Sequence, residues 1–136
     1  MPTVNETPRA ENWLFLTLTA AIPTVAAYST IAPEGVAQPF IVYSQQSPSD
    51  LMGVGPARIW ASFLYLVKVT GQINSYLPLK ATADAIDAAL HGASGTVPDG
   101  AVLDCIRERP FSLVEVTNGV EWRHLGGLYR LKVQPR

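Results

Sequence analysis

Charged side chains are scarce. Only 15% of the residues are Asp, Glu, Lys or Arg, where soluble domains average about 25%, while 48% are hydrophobic. A small globule this short of charge must expose apolar surface or cover it with another chain. Self-association is the ordinary cover, so the composition predicts an oligomer. The net charge of −1 removes any overall pull toward nucleic acid or an anionic membrane. Along the chain the imbalance is small: residues 1–100 hold four bases against seven acids, and 101–136 six against four.

Cysteine and histidine are almost missing. The single Cys105 excludes an internal disulfide and any multi-cysteine metal site; within VLDCI it reads as a small buried apolar residue. The start of the chain lacks the basic and apolar pattern of a secretion signal. Its longest apolar runs fall well short of the roughly 18 residues that would span a membrane. A protein that stays in the compartment where it is made is the expectation.

The two histidines offer little chemistry. An enzyme needs a nucleophile near a base, two differently tuned acids, or a metal set. His91 falls at the end of a predicted helix, where a cation is mildly favoured. His124 stands beside Gly126-Gly127 in a predicted turn and reads as solvated. Asp84 and Asp87 share one face of a predicted helix and also read as solvated. The GVGP at 53–56 lacks the lysine and the following helix of a phosphate loop. No cofactor or metal is expected. A small ligand-binding domain or enzyme around His91 and Asp87 remains the alternative from a different class.

What the sequence does contain is periodicity. TPRAENWLFLTLTAAIP opens like a helix, with Thr7 as cap and Pro8 at its first position. Ala10, Leu14, Leu18 and Ala21 form one stripe, Trp13 and Leu16 lie beside it, and Pro23 stops it. Short strands are predicted at 25–31 and 40–44. In ARIWASFLYLVKVT the odd positions from Ala57 to Val69 make a continuous apolar face of period two. The even positions should be polar, yet Trp60, Leu64 and Leu66 stand among them. A second helix carries Leu79, Ala83, Ile86 and Leu90 inward, and Gly92 ends it. VLDCIRER and FSLVEV read as two strand segments interrupted at Pro110, which would fit an edge or bulge. Asn118-Gly119 is a hairpin turn, and LYRLKVQ is a closing strand. Runs of strands with only two helices predict one α+β domain over 1–136, a largely antiparallel sheet with the helices mainly on one face.

Between Phe40 and Phe63 the chain runs FIVYSQQSPSDLMGVGPARIWASF. A hairpin needs about two to five loop residues. The segment from Ser44 to Pro56 spends many more, and keeps Leu51, Met52 and Val54 among polar neighbours. It reads as a projecting loop that orders against a partner, with a disordered linker as the alternative. Trp60, Leu64 and Leu66 supply a second candidate contact patch; the alternative is that the first helix covers that side.

In order and spacing, four stretches resemble the tail-terminator or tail-completion proteins of long-tailed bacteriophages and prophages. They are the N-terminal helix with IAPEGVAQPFIVY, the polar loop with the long strand Arg58 to Val69, the helix segment TADAIDAAL, and GLYRL opening the last strand. The resemblance implies a virion structural protein without catalytic activity. It implies a hexameric ring at the head-proximal end of the tail tube, assembled in the bacterial host cytoplasm. Implied partners are further copies of the chain, the major tail tube protein, the head-completion or stopper protein and the tape measure protein, with DNA only in transit through the lumen and no membrane. Asp84 and Asp87 are candidates to line that lumen, where like charge keeps phosphate from sticking. A head-completion or neck adaptor ring is the alternative within the same machinery.

Overall fold

A computed structural model describes residues 7–52, 58–97 and 100–134. Helix α1 spans Thr7–Ala21 and α2 Leu77–Leu90. The strands are β1 Ala27–Ser29, β2 Phe40–Met52, β3 Arg58–Gln72, β4 Gly95–Val97, β5 Gly100–Thr117 and β6 Val120–Val133. They form one sheet of order β1-β2-β3-β6-β5-β4, antiparallel except for β1 against β2. The fold is α+β, as the periodicity predicts.

Both helices lie on the face given by the odd residues of β3. Phe63, Tyr65, Val67 and Val69 share a core with Leu14, Leu18, Leu79, Ile86, Leu90, Tyr129 and Leu131. Two tyrosines tie the layers together through polar tips. The Tyr65 hydroxyl reaches Glu11 of α1 at 3.3 Å, and that of Tyr129 donates to Asp87 of α2 at 3.1 Å. Burial, followed by the facing carboxylate, pushes both phenols up from their ordinary value. Helix α1 buries Ala10, Trp13, Leu14 and Leu18 but leaves Leu16 and Ala21 outside, so its stripe is narrower and rotated toward Trp13.

Besides β4, which falls where SGTVPDG reads as a turn, the sheet departs from the sequence expectation in three places. Ser44 to Met52 is strand rather than loop, laddered onto β3 from Ser44 opposite Leu66 to Met52 opposite Arg58. Cross-strand pairing overrides the weak strand propensity of Ser, Gln and Pro, and a bulge between Gln45 and Ser47 takes up the register. Val54 and the rest of 53–57 lie outside the described residues. Second, β5 runs unbroken through Pro110. Third, the two glycines near His124 are no turn: β6 is continuous, with Gly126 opposite Lys68 and Gly127 opposite Val67. Glycine is required at 126, because a Cβ there would stand 2.1 Å from the Val67 carbonyl oxygen. The Asn118-Gly119 hairpin is present, with both residues at positive φ (52° and 77°) as a primed turn demands.

The paired strands are unequal in reach. The ladder between β3 and β6 ends at Ala61 opposite Val133, while that between β2 and β3 continues to Met52 and Arg58. Leu51 and Trp60 therefore pair with each other in a two-strand ribbon that overhangs the last rung of β6.

A candidate assembly surface

The even residues of β3 from Ser62 to Thr70 point away from both helices. Leu66 sits opposite Leu128 of β6, and Leu64 opposite Arg130; all four are half-buried. On the neighbouring strand Ile106 and Leu113 are 39% and 42% exposed, and they pair with Arg130 and His124. Among the described residues no helix lies over this face. Leu64 and Leu66 thus form an apolar band in the middle of an uncovered sheet surface, where α1 had been the other possible cover. The backbone of Trp60, Leu51 and Met52 continues from that band into the overhanging ribbon.

Polar groups frame the leucines. At one end Arg130 holds Glu108 through Nε at 2.8 Å and reaches Ser62 at 3.3 Å. The guanidinium lowers the Glu108 carboxyl below the usual range. At the other end a cleft of about 300 Å³ is lined by Phe40, Val42, Lys68, Thr70, Glu115, Trp122 and His124. Lys68 lies over the Phe111 ring, 5.8 Å from its centre. His124 is 5% exposed, not solvated as its predicted turn implied; strand continuity carries it onto the sheet. Its Nδ1 meets the Thr70 hydroxyl at 2.9 Å, and its Nε2 meets a Glu115 carboxylate oxygen. Burial and the nearby Lys68 lower the His124 pKa, against the opposing pull of Glu115. Burial likewise lowers that of Lys68.

Hydroxyl, imidazole and carboxylate in that order invite a catalytic reading. Thr70 is 3% exposed, and its hydroxyl is engaged by the His124 ring. The three side chains instead bridge β3, β6 and β5 and satisfy one another's polar atoms inside the sheet. A continuous period of two from Val120 to Val133, with the glycines counted as strand residues, was the signal that would have placed His124 here.

The other acids and His91 sit on the helix side. Lys80 donates to Asp84 at 2.6 Å. Asp87 accepts from Tyr129 and lies 3.5 Å from the Arg107 Nε. Each candidate lumen acid therefore stands beside a base. His91 caps α2: its backbone N–H donates to the Asp87 carbonyl, and its Nδ1 accepts from the backbone N–H of Arg107 at 3.0 Å. Beside them a groove of about 500 Å³ runs between α2 and the sheet, lined by Tyr76, Leu77, Pro110, Leu125 and Tyr129 among others. Cys105 is fully buried, and burial followed by Asp104 and Asp87 pushes its thiol up to about 12. No group of three or more metal-ligating side chains occurs among the described residues, nor does any helix among them have the length and apolarity to cross a membrane.

No family model matches the sequence, and no curated protein does. Among solved structures, the fold is similar to that of a chain in the virion of a native gene transfer agent particle, with a TM-score of 0.63 and 16% identity. The likeness covers 89% of this chain and 91% of that one.

Proposed function

We propose that the protein is a structural component of a phage-type tailed particle, forming a ring at the head-proximal end of the tail tube. There it ends tube growth and offers a docking surface to head-completion proteins. The observation that carries the reading is a fold shared, over nine tenths of both chains, with a component of a gene transfer agent virion. The uncovered leucine band supports it. A ring needs head-to-tail contacts that bury two different patches on each subunit, and Leu64, Leu66 and Leu128 make an apolar patch rimmed by Arg130 and Glu108. The overhanging ribbon with Leu51, Met52 and Trp60 is the second contact element, against a neighbouring subunit or the tube. Six copies, the tube protein, the stopper and the tape measure protein as partners, and Asp84 and Asp87 toward the lumen belong to this reading through the tail-terminator resemblance.

Electron microscopy of the purified protein, with its mass in solution, tests the ring. Closed rings of one subunit number are expected, and Leu66→Glu should give smaller species with an unchanged circular dichroism spectrum. A chain found solitary both alone and in finished particles would end the proposal. Deletion of the gene should give tails of uncontrolled length. Tails of normal length beside unjoined heads would instead identify a neck adaptor.

A further inference from the structure

The outer edge of β5 is covered at one end only. Strand β4 pairs with Gly100 to Val102. Beyond it, the Gly92 N–H donates to the Cys105 carbonyl, and the Arg107 N–H donates to His91. Cys105 and Arg107 therefore turn their backbone groups away from β6. The bulge between Arg107 and Arg109 moves the alternation by one residue, so that Pro110, Ser112, Val114 and Val116 face outward. Pro110 fits this assignment, since it lacks the N–H that would otherwise point off the edge. From Pro110 to the hairpin turn at Asn118, no described residue covers the edge. Both faces of the same stretch carry exposed apolar side chains, Leu113 at 42%, Val114 at 41% and Val116 at 67% exposure, beside Ser112, Glu115 and Thr117. A long exposed apolar edge of this kind is a template for another strand.

We infer that this edge pairs with the same edge of a second copy, antiparallel about a two-fold axis at Val114. The donors and acceptors are complementary to themselves in that arrangement. Val114 exchanges both backbone bonds with its twin, and Ser112 exchanges both with the second copy's Val116. No outward N–H between the proline and the turn is left over. Pro110 falls opposite the second copy's Asn118, outside the ladder, so its missing donor costs nothing. The arrangement also clears the covered end. The second copy's turn stops at the level of Pro110, short of His91, and the rest of that copy continues past the turn of the first. On the helix side Val114 packs against its twin, and Val116 lies against the second copy's Ser112. On the other face Glu115 meets Leu113 rather than a like charge. This pairing uses a different surface from the leucine band and does not depend on the ring reading.

Solution mass and amide hydrogen exchange of the full chain test it. The expected mass is twice the chain's 14.7 kDa, or an even multiple of it. Val114→Pro removes an outward N–H that the ladder to β6 does not use, and it should halve the mass with the circular dichroism retained. In the wild type the amides of Ser112, Val114 and Val116 should exchange at least about tenfold more slowly in the concentrated than in the dilute protein, while those of Leu113 and Glu115 stay protected in both. Should Val114→Pro fail to fold, that alternating pattern decides alone. Rapid exchange at all three outward amides at every concentration, or an unchanged mass in a folded Val114→Pro, overturns the pairing. Either result leaves the ring to be judged by microscopy.

Discussion

Replacing Gly126 and Gly127 one at a time with alanine separates two glycines that are adjacent in sequence and opposite in consequence. At Gly126 the new methyl carbon would lie 2.1 Å from the Val67 oxygen, 2.6 Å from the Lys68 Cα and 2.9 Å from the Val67 carbonyl carbon. All three are backbone atoms of the central strand, and that strand is laddered on both sides. Relief requires β3 and β6 to separate, which breaks rungs at the middle of the sheet. The cost belongs at or above the top of the usual overpacking range, about 3 kcal/mol. For a chain of this size that is a fall in melting temperature of roughly 10 °C. At Gly127 the methyl would meet the Arg107 Cδ at 2.9 Å and Cγ at 3.2 Å, with the Arg109 carbonyl oxygen at 3.2 Å. The Arg107 side chain is 41% exposed and can swing away, forfeiting an ion pair with Asp87 that is worth little at such exposure. About 1 kcal/mol or less is expected there. Thermal melts of both variants by circular dichroism measure the contrast. Two melting temperatures within about 2 °C of each other would refute the close approach of β6 to β3 on which the argument rests.

His124 makes stability depend on pH. Its pKa is lowered in the folded chain, so near the ordinary value of 6.5 the unfolded chain binds more protons than the folded one. Stability therefore rises with pH: it is full above 6.5 and declines as the pH falls through that value toward the lowered folded pKa. Melts from pH 5 to 8 should show this slope, and His124→Gln should flatten it; a wild-type profile that is flat or reversed contradicts the burial argument. Cys105, with its thiol buried and pushed up to about 12, should resist a thiol reagent at pH 8 in the native protein and react fully in guanidinium. Fast native labelling would show that β5 opens at that rung.

Much of the fold is written in short-range pattern. The apolar spacing of α2, the odd face of β3 and the Asn118-Gly119 turn each carry their own period or turn chemistry, and the structure keeps all of them. What escaped is what depends on a partner strand. Ser44 to Met52 has no strand propensity of its own, and its conformation comes from the ladder offered by β3. Pro110 reads as an interruption that fits an edge or a bulge, and the structure has a bulge just before it and no described strand beyond it, but only the topology says that its missing N–H points outward. Gly126-Gly127 looks like a turn because a pair of glycines serves equally where the chain reverses and where two backbones approach closely. The candidate surface was legible in part. Leu64 and Leu66 stood out as apolar residues on a face that should be polar, whereas His124 and Glu115 come together only through the register of β5 on β6.

The shortage of charge has a structural counterpart in the one-sided placement of the helices. A sheet with helices on a single face can solvate its other face only if alternate residues there are polar. Here the positions that should carry those polar residues include Leu64, Leu66, Leu128, Ile106 and Leu113, and the margin of the same sheet carries Val114 and Val116. Rearranging the two helices cannot mend this, since both are committed to the core through Leu14, Leu18, Leu79, Ile86 and Leu90. Among the described residues nothing supplies the missing layer. A chain that functions in an assembly keeps such a surface uncovered until its neighbours arrive. The leucine band would then be exposed in the lone chain and buried in an assembly. Glu at Leu66 should therefore do far more damage to assembly than to the stability of the isolated domain.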